Sequence, residues 1–263
     1  MPKIADIIRE VNDFAPLGLQ ESWDNSGIQV GSTDIECTGV MICVDVTPDV
    51  ISEAGSRGCN LIISHHPLLF KGLKQICPGD NVVQQSVIEA IRRGITVYSS
   101  HTALDSASHG ISYRIVRMLG AEPLHPLVDG PLPSTGLGCV AEFERPVGTA
   151  EFCRRVRTAM AGSGLLRCSD PESKGEFSRI AVCGGSGGEF IPKAIEAGCG
   201  AYLTSDVRYH DFVDYGKRIF LVDIGHFDSE KCAKQIFYEI ISEKFHNFAI
   251  YKSETERNPI YYL

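Results

Sequence analysis

Twice along this 263-residue chain the same order of elements can be read. A short apolar run of β type leads into an amphipathic helical stretch, a Gly-Cys pair follows, and a second apolar run ends in polar residues. Residues 41–66 run in this way through Gly58-Cys59 to His65-His66, and residues 180–206 through Gly198-Cys199 to Ser205-Asp206. Each is followed by a further run that delivers a histidine and a carboxylate four positions apart, His101 with Asp105 and His226 with Glu230. Strands alternating with helices at this spacing predict parallel βαβ units. The recurrence predicts an α/β protein of two similar, interconnected domains diverged from one unit, with strand ends together and one site built from both. The halves are drawn at 1–127 and 128–263, because Pro123, Pro126, Pro131 and Pro133 crowd a segment that reads as a linker.

Helix signals punctuate the pattern. Ile4, Ile7, Ile8, Val11 and Phe14 form a helical stripe that Pro16 ends. Thr47 followed by Pro48 marks a helix start, and Gly58 marks its stop. Further helices are predicted over 82–93 before Gly94, 111–119 before Gly120, 149–160, 190–197 and 229–243. Residues 163–175 read as loop with one short strand, and 248–252 as a last strand.

Two adjacent histidines close the run 62–64, and Pro67 stops it. Neighbouring residues on a strand point to opposite faces, so His65 and His66 cannot share one within the strand. A turn at the strand end lets both imidazoles reach one cluster, or lets each serve a different metal ion. Asp105, His226 and Glu230 are the matching partners, with His101 in reserve. On a helical turn, a spacing of four puts His226 and Glu230 on one face. The bland alternative is a strand-end histidine and a solvated glutamate suited to a helix N-terminus. Three imidazoles and two carboxylates exceed a single tetrahedral zinc and fit two divalent ions bridged by a carboxylate. Such donors suit zinc, iron, manganese or nickel. Two such ions activate water and stabilise charge on a phosphoryl or carbonyl oxygen.

Two glycine- or aromatic-marked loops stay open in meaning. The loop Gly184-Gly185-Ser186-Gly187-Gly188 is either an anion cradle before a helix or a tight turn, and it lacks the P-loop and dinucleotide fingerprints. Residues 21–27, with the only tryptophan, are either a turn anchored by one aromatic or a contributor to a site.

The formal net charge of −8 leaves no basic footprint, so duplex nucleic acid is not an expected partner. No apolar run reaches membrane-spanning length, and the first ten residues lack a signal-peptide pattern, which predicts a cytoplasmic protein without a membrane partner. None of the ten cysteines forms a Cys-x-x-Cys pair, and several sit in apolar runs, so they read as reduced, buried small hydrophobes.

Five ordered blocks carry a resemblance. Glu21-Ser22-Trp23-Asp24-Asn25-Ser26-Gly27, Ser64-His65-His66-Pro67-Leu68, His101-Thr102-Ala103-Leu104-Asp105, Thr204-Ser205-Asp206-Val207-Arg208-Tyr209-His210-Asp211 and Gly225-His226-Phe227-Asp228-Ser229-Glu230 resemble the signature blocks of the Nif-three-like family. Its members are labelled GTP cyclohydrolase I type 2 homologues, and this chain is similar to their short form, without an inserted domain. The resemblance implies a dinuclear metal site of His65, His66, Asp105, His226 and Glu230. It also implies a toroidal homohexamer with the metal sites facing a central cavity. Ala103, Ser205 and Ser112 depart from the family's usual asparagine, glycine and asparagine, and none of these changes removes a ligand. The expected function is hydrolysis, dependent on two metal ions, of a nucleotide or related phosphorylated small molecule, with His101 or His210 as proton carrier. The competing expectation is a metal-binding assembly or adaptor protein without turnover.

Overall fold

The computed structural model describes residues 1–79, 81–160 and 165–261; the loop expected over 163–175 therefore begins outside the described residues. From the first residue the chain forms α1 (Ile4–Phe14), β1 (Gly27–Val30), β2 (Val40–Cys43), α2 (Pro48–Ser56), β3 (Leu61–Ser64), α3 (Val82–Arg93), β4 (Thr96–Ser99) and α4 (Thr102–Ser106). It continues as α5 (Ile111–Met118), β5 (Glu122–His125), β6 (Val128–Asp129), β7 (Gly136–Leu137), β8 (Cys139–Val147), α6 (Thr149–Met160), β9 (Arg167–Cys168) and β10 (Phe177–Ser186). The remainder is α7 (Ile191–Glu196), β11 (Ala201–Ser205), α8 (Tyr209–Tyr215), β12 (Phe220–Asp223), α9 (His226–Glu230), α10 (Ala233–Lys244) and β13 (Ile250–Lys252). These elements make a mixed α/β fold of two compact units, Met1–Leu104 with Ala233–Pro259 and Asp105–Cys232 with Ile260–Leu263.

The first unit is built on a sheet of order β1-β4-β3-β2-β13, parallel except for β1 at one edge. Every residue of β2, β3 and β4 is buried, the pattern of strands covered on both faces. Val50, Ile51 and Ala54 of α2 and Val87 and Ala90 of α3 pack onto Met41, Ile62 and Val97. Thr47 caps α2 as expected, its hydroxyl accepting the Val50 amide at 3.3 Å. Register sets where the strands stop: Cys43, Ser64 and Ser99 lie side by side, so the three strands end flush. The ladder runs on past them, with the His65 and His66 amides donating to the Cys43 and Val44 carbonyls and the Ser100 amide to that of Ser64. The chain's last segment closes this unit. β13 pairs with β2, and Glu53 on α2 accepts hydrogen bonds from the Ser253 hydroxyl at 2.7 Å and the Glu254 and Thr255 amides at 3.1 Å. Burial works to raise the Glu53 pKa, but these hydrogen bonds outweigh it and hold the carboxyl at about 2.

The second unit has a sheet of order β5-β8-β10-β11-β12-β9, in which β10, β11 and β12 form a parallel triplet and the outer pairings are antiparallel. Both units thus contain three successive parallel strands in adjacent order, β2-β3-β4 in one and β10-β11-β12 in the other. Ala181, Tyr202 and Leu221 pack against Ile191 and Ala194 of α7. The proline-rich segment is not a linker: Pro123 lies in β5, the sheet's edge strand, where its missing N–H leaves no gap in a ladder. The expected cut at 127/128 falls inside this unit, and the chain passes between units at 104/105, 232/233 and 259/260 instead. The helix expected over 229–243 is likewise interrupted, with α9 ending at Glu230 and α10 starting at Ala233. Ser229 ties α9 to the second sheet by accepting the Gly185 amide at 2.9 Å, whereas α10 belongs to the first unit. No helix among the described residues is long and apolar enough to cross a membrane.

Candidate metal centre

In the first unit the flush ends of β3 and β4 deliver three imidazoles. One nitrogen from each of His65, His66 and His101 lies within 4.8 Å of the others. The rings pack at centroid separations of 5.1 to 5.5 Å. His65 is fully buried, and its Nδ1 faces the Ser100 carbonyl at 3.1 Å. A carbonyl can only accept, so Nδ1 carries the proton and Nε2 keeps its lone pair. His66 Nδ1 faces Asp45 Oδ1 at 2.8 Å, and His101 Nδ1 faces Asp24 Oδ1 at 2.8 Å. Each imidazole is therefore oriented through Nδ1 and offers Nε2 outward, the usual arrangement behind a metal-binding histidine.

The acceptors are themselves fixed. The Asp24 side chain is fully buried and also accepts the Thr102 hydroxyl at 2.6 Å. Burial favours a raised pKa, but hydrogen bonds from His101 and Thr102 hold Asp24 well below the usual carboxylate range. Asp45 is set by Glu256, whose Oε1 accepts the Val44 and Asp45 amides at 2.8 and 2.7 Å while Oε2 pairs with Lys234 at 2.7 Å.

The second unit presents mainly carboxylates. Asp105 on α4 and Glu230 on α9 are buried, with oxygens within 4.8 Å of each other. Two carboxylates at that range repel, and a shared cation or proton relieves the repulsion. His226, at the start of α9, places Nε2 3.0 Å from Glu230 Oε2, while its Nδ1 faces Asp206 Oδ2 at 2.6 Å. Two ligands of one divalent ion, each at roughly 2.0–2.1 Å from it, stand about 3 Å apart, so the His226–Glu230 separation fits a shared ion. Asp206 reaches His226 from a left-handed backbone at φ 55°.

Close packing explains most of the glycine run, with Glu230 the neighbour at Gly185. Gly184 and Gly185 lie in β10, and α7 begins only at Ile191. A Cβ on Gly185, where φ is +67°, would stand 2.2 Å from Glu230 Oε1. One on Gly187 would stand 2.5 Å from both Tyr202 OH and Thr204 Oγ1. The run makes room for side chains, as a tight passage does.

The expected residues thus divide between the units. His65, His66 and His101 come together in the first, and Asp105, His226 and Glu230 in the second. His210 lies on the exposed α8, its ring edge-on to Tyr209 at 5.3 Å, and joins no group of potential ligands among the described residues. Asp24, Asp45 and Asp206, the carboxylates that orient the rings, escape the sequence reading. Asp45 carries the signal used for the others, a carboxylate just past a strand end. The loop 21–27 does contribute to the site: Asp24 orients His101, and Trp23 is exposed rather than an anchor in the core. The cysteines are buried free thiols in the main, and burial pushes the Cys37 thiol up to about 12.

Fold and side chains together define a mixed α/β protein whose strand ends carry imidazole and carboxylate donors able to hold divalent metal. The chain belongs to the Duf34/NIF3 (NGG1p interacting factor 3) family, which it matches over residues 2–259. It is 36% identical over 231 residues to a GTP cyclohydrolase 1 type 2 homolog of Clostridium acetobutylicum, covering 87% of this chain and 85% of the relative. A protein of the same description from Lactococcus lactis is 32% identical, covering 98% of this chain and 99% of the relative. A hypothetical protein of Staphylococcus aureus has the same fold, with a TM-score of 0.88 at 24% identity over 99% of each chain. Reduced HcgD from Methanocaldococcus jannaschii aligns with a TM-score of 0.81 at 26% identity, over 96% of this chain and 98% of that one.

Proposed function

We propose that the chain is a hydrolase of a nucleotide or related phosphorylated small molecule, with His65, His66, Asp105, His226 and Glu230 as ligands of two divalent ions. The observation that carries this reading is the control of tautomer. Nδ1 of His65 and of His66 each faces an oxygen acceptor, which leaves Nε2 as the ligand atom in both, while His226 sits between two carboxylates, Asp206 at Nδ1 and Glu230 at Nε2. The buried Asp105 and Glu230 supply the negative charge that a divalent ion needs. Ligand chemistry admits zinc, iron, manganese or nickel. When bound, such ions make water nucleophilic at neutral pH and polarise a phosphoryl or carbonyl oxygen.

The protein's own groups do the rest. His101, held through Nδ1 by an ionised Asp24, presents Nε2 as the proton carrier, and the buried carboxylate stabilises the imidazolium formed in transfer. Packing of Trp23 and Phe70 against His101 shields that ring from water on one side. The relatives' name directs the first substrate screen to GTP. A toroidal homohexamer in the cytoplasm completes the proposal on family resemblance, and light scattering measures the assembly.

The test is turnover. Hydrolysis or ring opening of GTP and other nucleotides should require added metal and vanish in Glu230→Ala while circular dichroism stays native. Equal, metal-independent rates in both proteins would leave a metal-binding assembly protein as the reading.

A further inference from the structure

Trp23 is 58% exposed and Phe70 47% exposed, on two different loops of the first unit. Their ring centroids lie 6.0 Å apart at 71°, and each also meets the His101 ring edge-on, at 6.1 Å and 6.2 Å. A single exposed ring is ordinary, but two exposed rings together beside a candidate site make an apolar patch of the kind that marks ligand binding. A mobile loop would fold such rings inward, but these loops are braced. Glu21 donates its amide to Thr102 Oγ1 at 2.9 Å, and the buried Asp24 accepts the Ser26 hydroxyl at 2.9 Å and the Thr102 hydroxyl at 2.6 Å. The second loop is fixed to the first: Asn25 Nδ2 donates to the Leu69 carbonyl at 2.8 Å, and the Leu69 amide donates to Gln29 Oε1 at 3.0 Å. The aromatic edge beside His101 is therefore rigid and open, which is how proteins hold an aromatic platform ready at low entropic cost.

We propose that Trp23 and Phe70 form a stacking subsite for a planar heteroaromatic ring, a nucleobase or a ring of similar shape, and so place the ligand's reacting atom near His101. This deepens the hydrolase reading and rests on it for the role of His101. The net charge of −8 favours a free small molecule over a nucleic-acid chain. Stacking on an aromatic side chain contributes about 1–3 kcal/mol per base, roughly a 5- to 150-fold change in affinity.

Trp23 is the only tryptophan, so its emission reports directly on the subsite. Full-length protein, metal-loaded and metal-stripped, is titrated with GMP, AMP, a short single-stranded oligonucleotide and ribose 5-phosphate. The expected result is quenching by the base-bearing compounds and none by ribose 5-phosphate. Stronger quenching by the mononucleotides than by the oligonucleotide marks a free ligand, and the reverse a base within a chain. Calorimetry should show nucleotide affinity falling roughly 5- to 150-fold in Trp23→Leu and less in Trp23→Phe, with bound metal unchanged in both. The subsite is overturned if no base-bearing compound moves the emission of metal-loaded protein, or if Trp23→Leu binds nucleotide as well as native protein. Either result leaves the metal reading standing. Conversely, native protein that takes up no metal yet is quenched by the nucleotides would keep the subsite and lose the metal reading.

Discussion

The two units place different chemistry just past the ends of their parallel strands. Beyond β3 and β4 the first unit carries three imidazoles, His65, His66 and His101, with carboxylates behind the last two. Beyond β12 the second carries buried Glu230 and the half-exposed His226, while Asp105 on α4 adds a second buried carboxylate. Imidazole offers a neutral donor whose orientation is set through its second nitrogen, whereas a carboxylate brings charge that is costly to bury alone. The difference teaches that hydrogen bonds orient the imidazoles of the first unit, whereas the paired carboxylates of the second concentrate negative charge suited to a cation.

Five substitutions break or sharpen that contrast. The largest effect belongs to Glu230→Gln, which removes charge where the second unit concentrates it. Metal affinity by competition with a chelator should fall more than about 100-fold, beyond the roughly 10- to 100-fold range typical for residues that only orient ligands. Gly185→Ala should damage the same carboxylate indirectly. Its left-handed backbone alone costs about 1–2 kcal/mol with a Cβ, and displacement of Glu230 adds to that. Thermal unfolding should show a clear drop in Tm together with weaker metal binding; an unchanged Tm would mean the tight passage tolerates a side chain.

Next come Asp45→Asn and Asp206→Asn, one in each unit. Each should lower metal affinity roughly 10- to 100-fold without unfolding the chain. No change in either variant would show that its histidine needs no acceptor on Nδ1.

Glu53→Gln has the smallest expected effect on metal binding, and it concerns the first unit alone. The Glu53 carboxyl titrates at about 2 when folded, against about 4.3 when unfolded. A depressed pKa stabilises the fold fully above the unfolded value, and that stabilisation fades as pH falls toward 2. Denaturant unfolding should show a loss of about 3 kcal/mol at neutral pH for the variant, shrinking as the solution is acidified below pH 4. A constant difference across that range would assign the loss to packing.

Much of this architecture is legible in the amino-acid sequence. Apolar runs, caps at Thr47 and glycine stops locate the βαβ units, and a histidine or carboxylate just past a run locates the donors. The parts that stay hidden depend on contacts distant in sequence. The return of β13 to pair with β2 leaves no local mark, because Ile250 to Lys252 reads the same beside any strand. Pro123 in β5 reads as a breaker until its edge position is known. The break between α9 and α10 hides within a continuous helical pattern, and only the tie from Ser229 to Gly185 explains why the chain turns there. Asp24 and Asp206 look like ordinary loop aspartates; a partner 77 residues away in one case and 20 in the other gives them their role.

The most direct test is bound metal per chain, by elemental mass spectrometry on untagged protein, beside His65→Ala from the first unit and His226→Ala from the second. Close to two ions per native chain, lost in both variants while the fold is retained, is the expected result. Native protein that stays without metal after incubation with zinc, iron, manganese and nickel would contradict it, and the histidines would then be structural residues.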